Sequence, residues 1–348
     1  MNGKDPQYII NSQAPIRICD NGGWTDTWFA EYGSVFNIAV SPCVEVQIEV
    51  YERSDQESRV IVNAENYGER YSLNLDRGWD RHPLLEATIY TMGVPDDISI
   101  ELTIYCQVPA GASTGTSAAV CVALIGALDC LTAGRLSAHE VASTAHKVET
   151  EVLKQQSGIQ DQLCSAYGGI NFIRMHRYPD ASVTQIEVPE QTLWELERRL
   201  ALVFLGRSHS SSQVHEMVIS SLTQAGPECR QLNDLRATAE KSRQAVTACD
   251  FRALGAAMIE NTEAQRRLHP ALIGRDAAKI IDIAQEFDAL GWKVNGAGGE
   301  GGSVTILCSE SSQVKRTMIH TIESSKAAYS NIPISLYPDG MRTWKTHP

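Results

Sequence analysis

The sequence predicts an α+β protein with a domain boundary near residue 185, and three features predict it. Alternating apolar residues dominate the first hundred or so positions, as in strands, while helical periodicities dominate the second half. Three glycine-bearing segments fall where strands meet other elements. At 348 residues the chain has room for two domains of about 100 to 200 residues each.

Hydrophobic residues make up 43% of the chain and charged residues 21%, the balance of a globular protein with a packed core. A formal net charge of −12 argues against a nucleic-acid binder, which needs a basic surface. The nine cysteines are scattered and lack CxxC pairing, so they read as reduced thiols and not as a zinc site. The opening MNGKDPQYII has no basic stretch leading into an apolar core, and the longest apolar run, 118–128, is too short to span a bilayer. The expectation is a cytoplasmic enzyme with no membrane or nucleic-acid partner.

After a polar lead-in, APIRICDNGGWTDTW crowds Arg17, Asp20 and Asp26 into one turn-rich loop. Arg17 lies between Ile16 and Ile18 and faces opposite to them in a strand, while Gly22 and Gly23 allow a sharp fold before Asp26. Such an arginine and carboxylate suit a phosphate and a polyol; a surface hairpin closed by a salt bridge is the alternative. From Val35 the segments VFNIAV, VEVQIEV, RVIVNA and YSLNL read as an antiparallel sheet with one wet face. A short helix is expected over 82–91, then an alternating strand from Ile98 to Val108.

That strand runs into PAGASTGTSAA, a loop of small residues followed by a helix apolar on nearly every face. The first N–H groups of a helix lack internal partners and carry the positive end of its dipole, so an anion fits there. Gly111 and Gly115 allow close backbone approach, and Thr116 and Ser117 add hydroxyls. An ordinary capped turn remains the alternative. No lysine follows the glycines, so any cation must come from elsewhere.

SAHEVASTAHKVETEVL opens with Ser137 and Glu140 as a capping box, and Val141, Ala145, Val148 and Val152 mark the buried side of its helix. Glu149 sits at the edge of that stripe, as a solvated residue also would. In SGIQDQLCSAYGG, Asp161 stands between two glutamines, where a helix cap is the alternative to chemistry. The second half holds a strand (LALVFLG), the polar cluster RSHSSSQVHE and helices over 213–222, 228–248, 251–268 and 275–290. A further glycine-rich loop in KVNGAGGEGGSVTIL, a helix and a last strand, IPISLY, complete it. Five glycines there exceed the needs of a turn.

Taken in order, APIRICDNGGWTDT, PAGASTGTSAA and NGAGGEGGS, with IQDQ between the second and third, resemble the GHMP kinase superfamily over nearly the whole chain. GGWTDT resembles its sugar 1-kinase branch, the D-glycero-D-manno-heptose 7-phosphate kinases and the fucokinase domain. The resemblance implies a GHMP kinase fold: an N-terminal ribosomal-protein-S5-like domain over 1–185 and a C-terminal ferredoxin-like sandwich over 186–348. It implies ATP and Mg²⁺ as cofactors and a sugar or sugar phosphate as acceptor, foremost a heptose 7-phosphate, with an unphosphorylated fucose-like sugar or uronate as the second reading. A catalytically inactive sugar or nucleotide sensor is a third. A homodimer is compatible with the resemblance.

Residue by residue, Pro109, Gly111, Ala112, Ser113, Thr114, Gly115, Thr116 and Ser117 match the loop that wraps the ATP phosphates. Ser117 and Glu149 match the metal ligands. Asp161 matches the acid that orients or deprotonates the attacking hydroxyl, and Arg17 the cation beside it and the transferring phosphoryl group. Gly23, Trp24, Thr25 and Asp26 match the sugar side, and Gly296, Gly298 and Gly299 the motif that closes over it. Arg207, His209 and His215 are candidates for a distal phosphate. The family pattern has glycine at Ser113, leucine at Thr114 and glycine at Glu300, so the central loop should be stiffer or touch the nucleotide differently, and Glu300 should turn to solvent or the sugar.

Overall fold

The computed structural model describes residues 5–54, 58–74, 78–207 and 212–347. Two sheets organise these residues. The first contains β1 (Tyr8–Asn21), β2 (Gly33–Glu52), β3 (Val60–Ala64), β4 (Glu69–Ser72), β5 (Ile98–Cys106), β6 (Ile170–Arg177) and β7 (Asp180–Gln185). The long β2 is shared: its first half pairs with β6 and its second half with β5. All but one of the pairings are antiparallel. The exception is β3 with β5, which are parallel because β4 and α1 (Pro83–Met92) carry the chain back across the sheet between them.

Packed on this sheet is α2 (Thr116–Asp129), apolar all round and buried over 118–128 save half-buried Val120. Its flanks are covered by α1, α3 (Ala138–Lys147) and α4 (Gln160–Tyr167). α3 starts in the expected capping box: Glu140 N donates to Ser137 Oγ, and Ser137 N donates back to the Glu140 carboxylate. The wet face expected from Val35 onward is present in the second half of β2, where Val44, Val46, Ile48 and Val50 are buried and Glu45 and Gln47 exposed, and is absent over 35–40 and from the second half of β1. From Ala14 to Asn21 every residue is buried, because helices cover one side and the second half of the chain covers the other.

The second sheet has the order β11-β8-β10-β9, all antiparallel, from β8 (Leu200–Phe204), β9 (Gly291–Val294), β10 (Ser303–Leu307) and β11 (Ser330–Ile332). With helices before β9 and after β10, this is the β-α-β-β-α-β ferredoxin-like arrangement. Its core packs Val203, Trp292 and Ile306 against Ile280 of α9 (Arg275–Glu286) and Ile322 of α10 (Ser312–Ser325). α5 (Glu190–Arg199) and α6 (Ser212–Ala225) precede a long antiparallel pair, α7 (Arg230–Thr247) and α8 (Phe251–Leu268), that bridges the sheets: α7 lies on β1 and β2, α8 on β1 and β9. Leu254 and Met258 therefore belong to the same core as Ile16 and Leu124.

The expected last strand, IPISLY, is corrected. β11 ends at Ile332, and the chain then crosses to the first sheet, where Leu336 bridges Val40 and β12 (Arg342–Thr346) pairs with the edge of β1. Met341 and Thr343 fill the groove that Gly126 leaves on α2. Pro333 and Pro338 break any longer strand between them.

The α8–β9 contact rests on two facing glycines. A Cβ on Gly255 would collide with the Leu290 carbonyl, and one on Gly291 with the backbone of Gly255. Glycine-to-alanine exchange inside a helix ordinarily gains about 1 kcal/mol. Here Gly255→Ala is expected to lose about 1–3 kcal/mol by overpacking against backbone that cannot yield, seen as a lower urea midpoint at unchanged m-value. A midpoint at or above that of the wild type would contradict this close approach.

Candidate active site

The three glycine-bearing segments converge on one cleft of about 710 Å³. Arg17 on β1 reaches its floor, 4% exposed. Its guanidinium meets Asp161 with two bonds, Nε to Oδ1 at 2.8 Å and Nη2 to Oδ2 at 3.1 Å, the fork geometry that fixes a carboxylate in orientation as well as charge. Its Nη1 donates to the Ser113 carbonyl at 2.5 Å, and its backbone N–H donates to the Thr114 carbonyl. One residue thus joins β1, the central loop and α4.

The loop reaches α2 through Gly115, at φ 70°, where a Cβ would lie 3.1 Å from Asp161 Cγ and 3.2 Å from Arg17 Cγ. Glycine is required there for both conformation and space. Ser113 also takes a positive φ, 58°, although it carries a side chain. That is the position where the family pattern has glycine. Contacts with the third loop hold it, since a Cβ on Gly296 would sit 3.2 Å from Ser113 Cβ and one on Gly302 would sit 2.7 Å from Ser113 Oγ. Ser303 Oγ donates to the Ala112 carbonyl at 2.6 Å. Gly111, Ala112, Ser113, Thr114, Gly115, Thr116 and Ser117 line the cleft; Pro109 does not, its carbonyl accepting the Ala112 N–H.

Glu149 lies in a single π-helical turn, Val148–Val152, that follows α3. Such turns recur where a side chain must be re-aimed. It is 6% exposed. Gln162 Nε2 donates to its Oε2 at 3.0 Å, whereas Oε1 is buried without a hydrogen-bond partner, the Ser157 hydroxyl being given to the Gly158 carbonyl. Burial pushes the Glu149 carboxyl up to about 7, with the Asp161 charge adding to it and the Ser157 and Gln162 side chains pulling back. Ser117, exposed on the first turn of α2, lines the same cleft. One carboxylate oxygen without a partner and one exposed hydroxyl fit Mg²⁺, which takes few protein ligands and completes its shell with phosphate oxygens and water. Among the described residues no cluster of three acidic, histidine or cysteine side chains makes a closed metal cage.

Asp26 is 4% exposed; its Oδ2 accepts from Gln160 N at 3.1 Å at the start of α4, and a Cβ on Gly158 would occupy the position of that carboxylate. Burial raises its carboxyl to about 6 despite the Gln160 hydrogen bond, with Asp161 and Asp20 adding to the rise. Trp24, Trp28 and Phe29 build an aromatic wall beside it, with Trp28 edge-on to Phe29 at 5.2 Å and Trp24 edge-on to His215 at 5.3 Å.

Of the remaining expected residues, Gly296 lines the cleft. Gly298 and Gly299 are buried behind it against the Leu272 carbonyl, Gly23 packs on Asp20, and Thr25 hydrogen-bonds the Gly22 and Ser34 carbonyls, so these four shape the walls instead of facing the interior. Arg207 does not line the cleft. It pairs with Asp276 at 3.1 Å and with Glu300, which accounts for the charged residue in the third loop. His209 lies outside the described residues. Sequence reasoning gave no role to Gly158, Gln160, Gln162 or Lys293. The glutamines flanking Asp161 were visible as a pattern, but nothing local says that Gln162 would turn toward Glu149.

Residues 84–169 match the family of GHMP kinases N terminal domain. A D-glycero-alpha-D-manno-heptose 7-phosphate kinase of Campylobacter jejuni is 24% identical over 84% of this chain and 87% of its own length. A bifunctional fucokinase/GDP-fucose pyrophosphorylase of Arabidopsis thaliana is 24% identical over 87% of this chain, which spans only 30% of that larger protein. The crystal structure of a D-glycero-D-manno-heptose 1-phosphate kinase from Bacteroides thetaiotaomicron superposes with TM-score 0.74 at 18% identity, covering 97% of this chain and 100% of that one, a likeness of fold. By its fold the chain falls among the GHMP kinase structures. Specifically, residues 84–169 carry the GHMP kinases N terminal domain. Among the described residues no helix is long and apolar enough to cross a membrane.

The two raised carboxyls set a pH dependence. Each stays protonated to higher pH in the fold than in the unfolded chain, so the stability from those protons is complete below about pH 4. It is lost as pH rises through about 6 for Asp26 and about 7 for Glu149. At about pH 8 without metal or nucleotide, Glu149→Gln is expected to be more stable than the wild type by about 2 kcal/mol, with a smaller loss between about pH 5 and pH 8 in urea titrations. A variant no more stable than its parent would refute a buried, strained charge at 149.

Proposed function

We propose that the protein is an ATP-dependent kinase of the anomeric hydroxyl of a sugar, cast from an N-terminal nucleotide-binding unit over 1–185 and a C-terminal unit over 186–348. The observation that carries this reading is the convergence of the Arg17–Asp161 fork, the amide-lined start of α2 and the partnerless Glu149 oxygen on one cleft.

The nucleotide phosphates would lie along residues 111–117, where the free N–H groups of the first helical turn and its dipole favour negative charge. Ser117 and Glu149 would hold Mg²⁺, which supplies charge neutralisation to the phosphate oxygens. Asp161, held in a fixed orientation by Arg17, accepts the proton of the attacking hydroxyl. The sugar oxygen bonds to the γ-phosphorus as the bond to the ADP oxygen breaks. Asp26 would accept hydrogen bonds from other sugar hydroxyls.

The GGWTDT resemblance and the Campylobacter relative favour a heptose 7-phosphate acceptor. The cleft lining favours the second reading, an unphosphorylated sugar. Among the described lining residues Arg17 is the sole arginine or lysine and is already committed to Asp161, while Asp20, Asp26 and Glu216 face the acceptor side with the aromatic wall. A distal phosphate there would meet carboxylates and aromatic rings, with His215 and neutral glutamines as the side-chain donors in place of a free arginine or lysine.

An ADP-release screen over heptose 7-phosphate, fucose, arabinose and uronic acids tests both readings. Turnover of an unphosphorylated sugar above the heptose phosphate selects the second, the reverse selects the first, and no turnover of any sugar leaves the sensor. Asp161→Asn is expected to cut turnover by about 10² to 10⁴ while ATP affinity, read by calorimetry, stays within a few-fold. Turnover like the wild type would remove Asp161 from the chemistry.

A further inference from the structure

Lys293, on β9, is 1% exposed and lies outside the lining of the cleft, yet it is one of the largest fully buried side chains of the described chain. A buried ammonium is costly unless paired and hydrogen-bonded. Its Nζ lies 3.2 Å from Asp20 Oδ1 and 3.3 Å from Gln265 Oε1, and also donates to the Val294 carbonyl. Gln265 Nε2 donates to the Gly296 carbonyl at 3.0 Å, and Gly296 N donates back to Asp20 at 3.0 Å. Lys293, Gln265, Gly296 and Asp20 therefore close a ring around the first glycine of the third loop.

The ring touches the cleft through Gly296 and Asp20. Arg17 stands between two carboxylates, bonded to Asp161 at 2.8 Å and with Nη1 4.0 Å from Asp20 Oδ1. Asp20 is 1% exposed, so water does not screen its charge. Without a counter-charge of its own, it would compete with Asp161 for the guanidinium, and Gly296 would lose its anchor.

Resting on the kinase reading above, we propose that Lys293 is a positioning residue: it neutralises Asp20, leaves Arg17 to Asp161, and holds Gly296 against the cleft. It touches no substrate. Lys293→Met, length-matched and neutral, should lower kcat by about 100-fold, the scale of a displacement of about 1 Å at the reacting groups, while ATP affinity changes by no more than about threefold. Hydrogen exchange of the peptide spanning 295–302 should accelerate, a readout that needs no substrate.

The double variant Asp20→Asn, Lys293→Met should be no slower than Lys293→Met alone, because the unpaired carboxylate is the source of the damage. A purely structural lysine would lower the melting temperature and leave kcat per folded enzyme unchanged. If Lys293→Met does not fold, Gln265→Met opens the ring while keeping the ion pair, and should give the same exchange signature. A folded variant with kcat like the wild type, or with unchanged exchange over 295–302, overturns the proposal. A wild type that turns over no sugar overturns the kinase reading instead and leaves the exchange measurement to decide the ring.

Discussion

The bidentate bond between Arg17 and Asp161 is the constraint on which the site depends. Almost every other feature serves its geometry. Gly115 is bare because the pair lies over it, the central loop turns its carbonyls inward because Arg17 has donors left for them, and α4 starts where it does so that Asp161 falls on its first turn. An ion pair with its arginine buried and its carboxylate half-buried is poor evidence for stability, since desolvation of the guanidinium offsets much of the attraction. Its value is directional: a fork fixes a carboxylate in a way that a single lysine would not.

Around that pair the protein collects negative charge. Asp20, Asp26, Glu149 and Asp161 share one cleft, and two of the four carboxyls are pushed well above their ordinary values, Asp26 to about 6 and Glu149 to about 7. A fold selected for stability alone would place amides or apolar groups there. The strain is local and matches what a nucleotide-bound cation would relieve. Ser113, a side-chain-bearing residue in a conformation suited to glycine, lies at the same place and is kept in position by the loop facing it.

Much of this was legible in the amino-acid order. The strands before Pro109, the apolar α2, the capping box at Ser137 and the helices of the second half follow from period and punctuation, and Arg17, Glu149 and Asp161 follow from motifs spaced along the chain. What escaped has a common cause, which is that partnership across distance leaves no local mark. Lys293 reads as one polar residue in an alternating strand, and only the fold brings it to Asp20, 273 positions earlier. Gly158 looks like a loop residue until Asp26 is found pressed against it. Arg207 was assigned by charge alone, and charge does not say that Glu300 and Asp276 are nearer than any ligand. The parallel β3–β5 pair was missed because a crossover of a short strand and one helix has the same periodicity as a meander.

The path of the final fifteen or so residues has a topological consequence. By returning to lie beside β1 and seating Met341 in the notch of α2, they stitch the start and end of the described chain into one sheet. The first half is therefore left with an open hydrogen-bonding edge and an unfilled groove on its central helix until the last strand arrives. The first sheet thus takes an edge strand, and its central helix a packing partner, from residues that follow the whole of the second sheet.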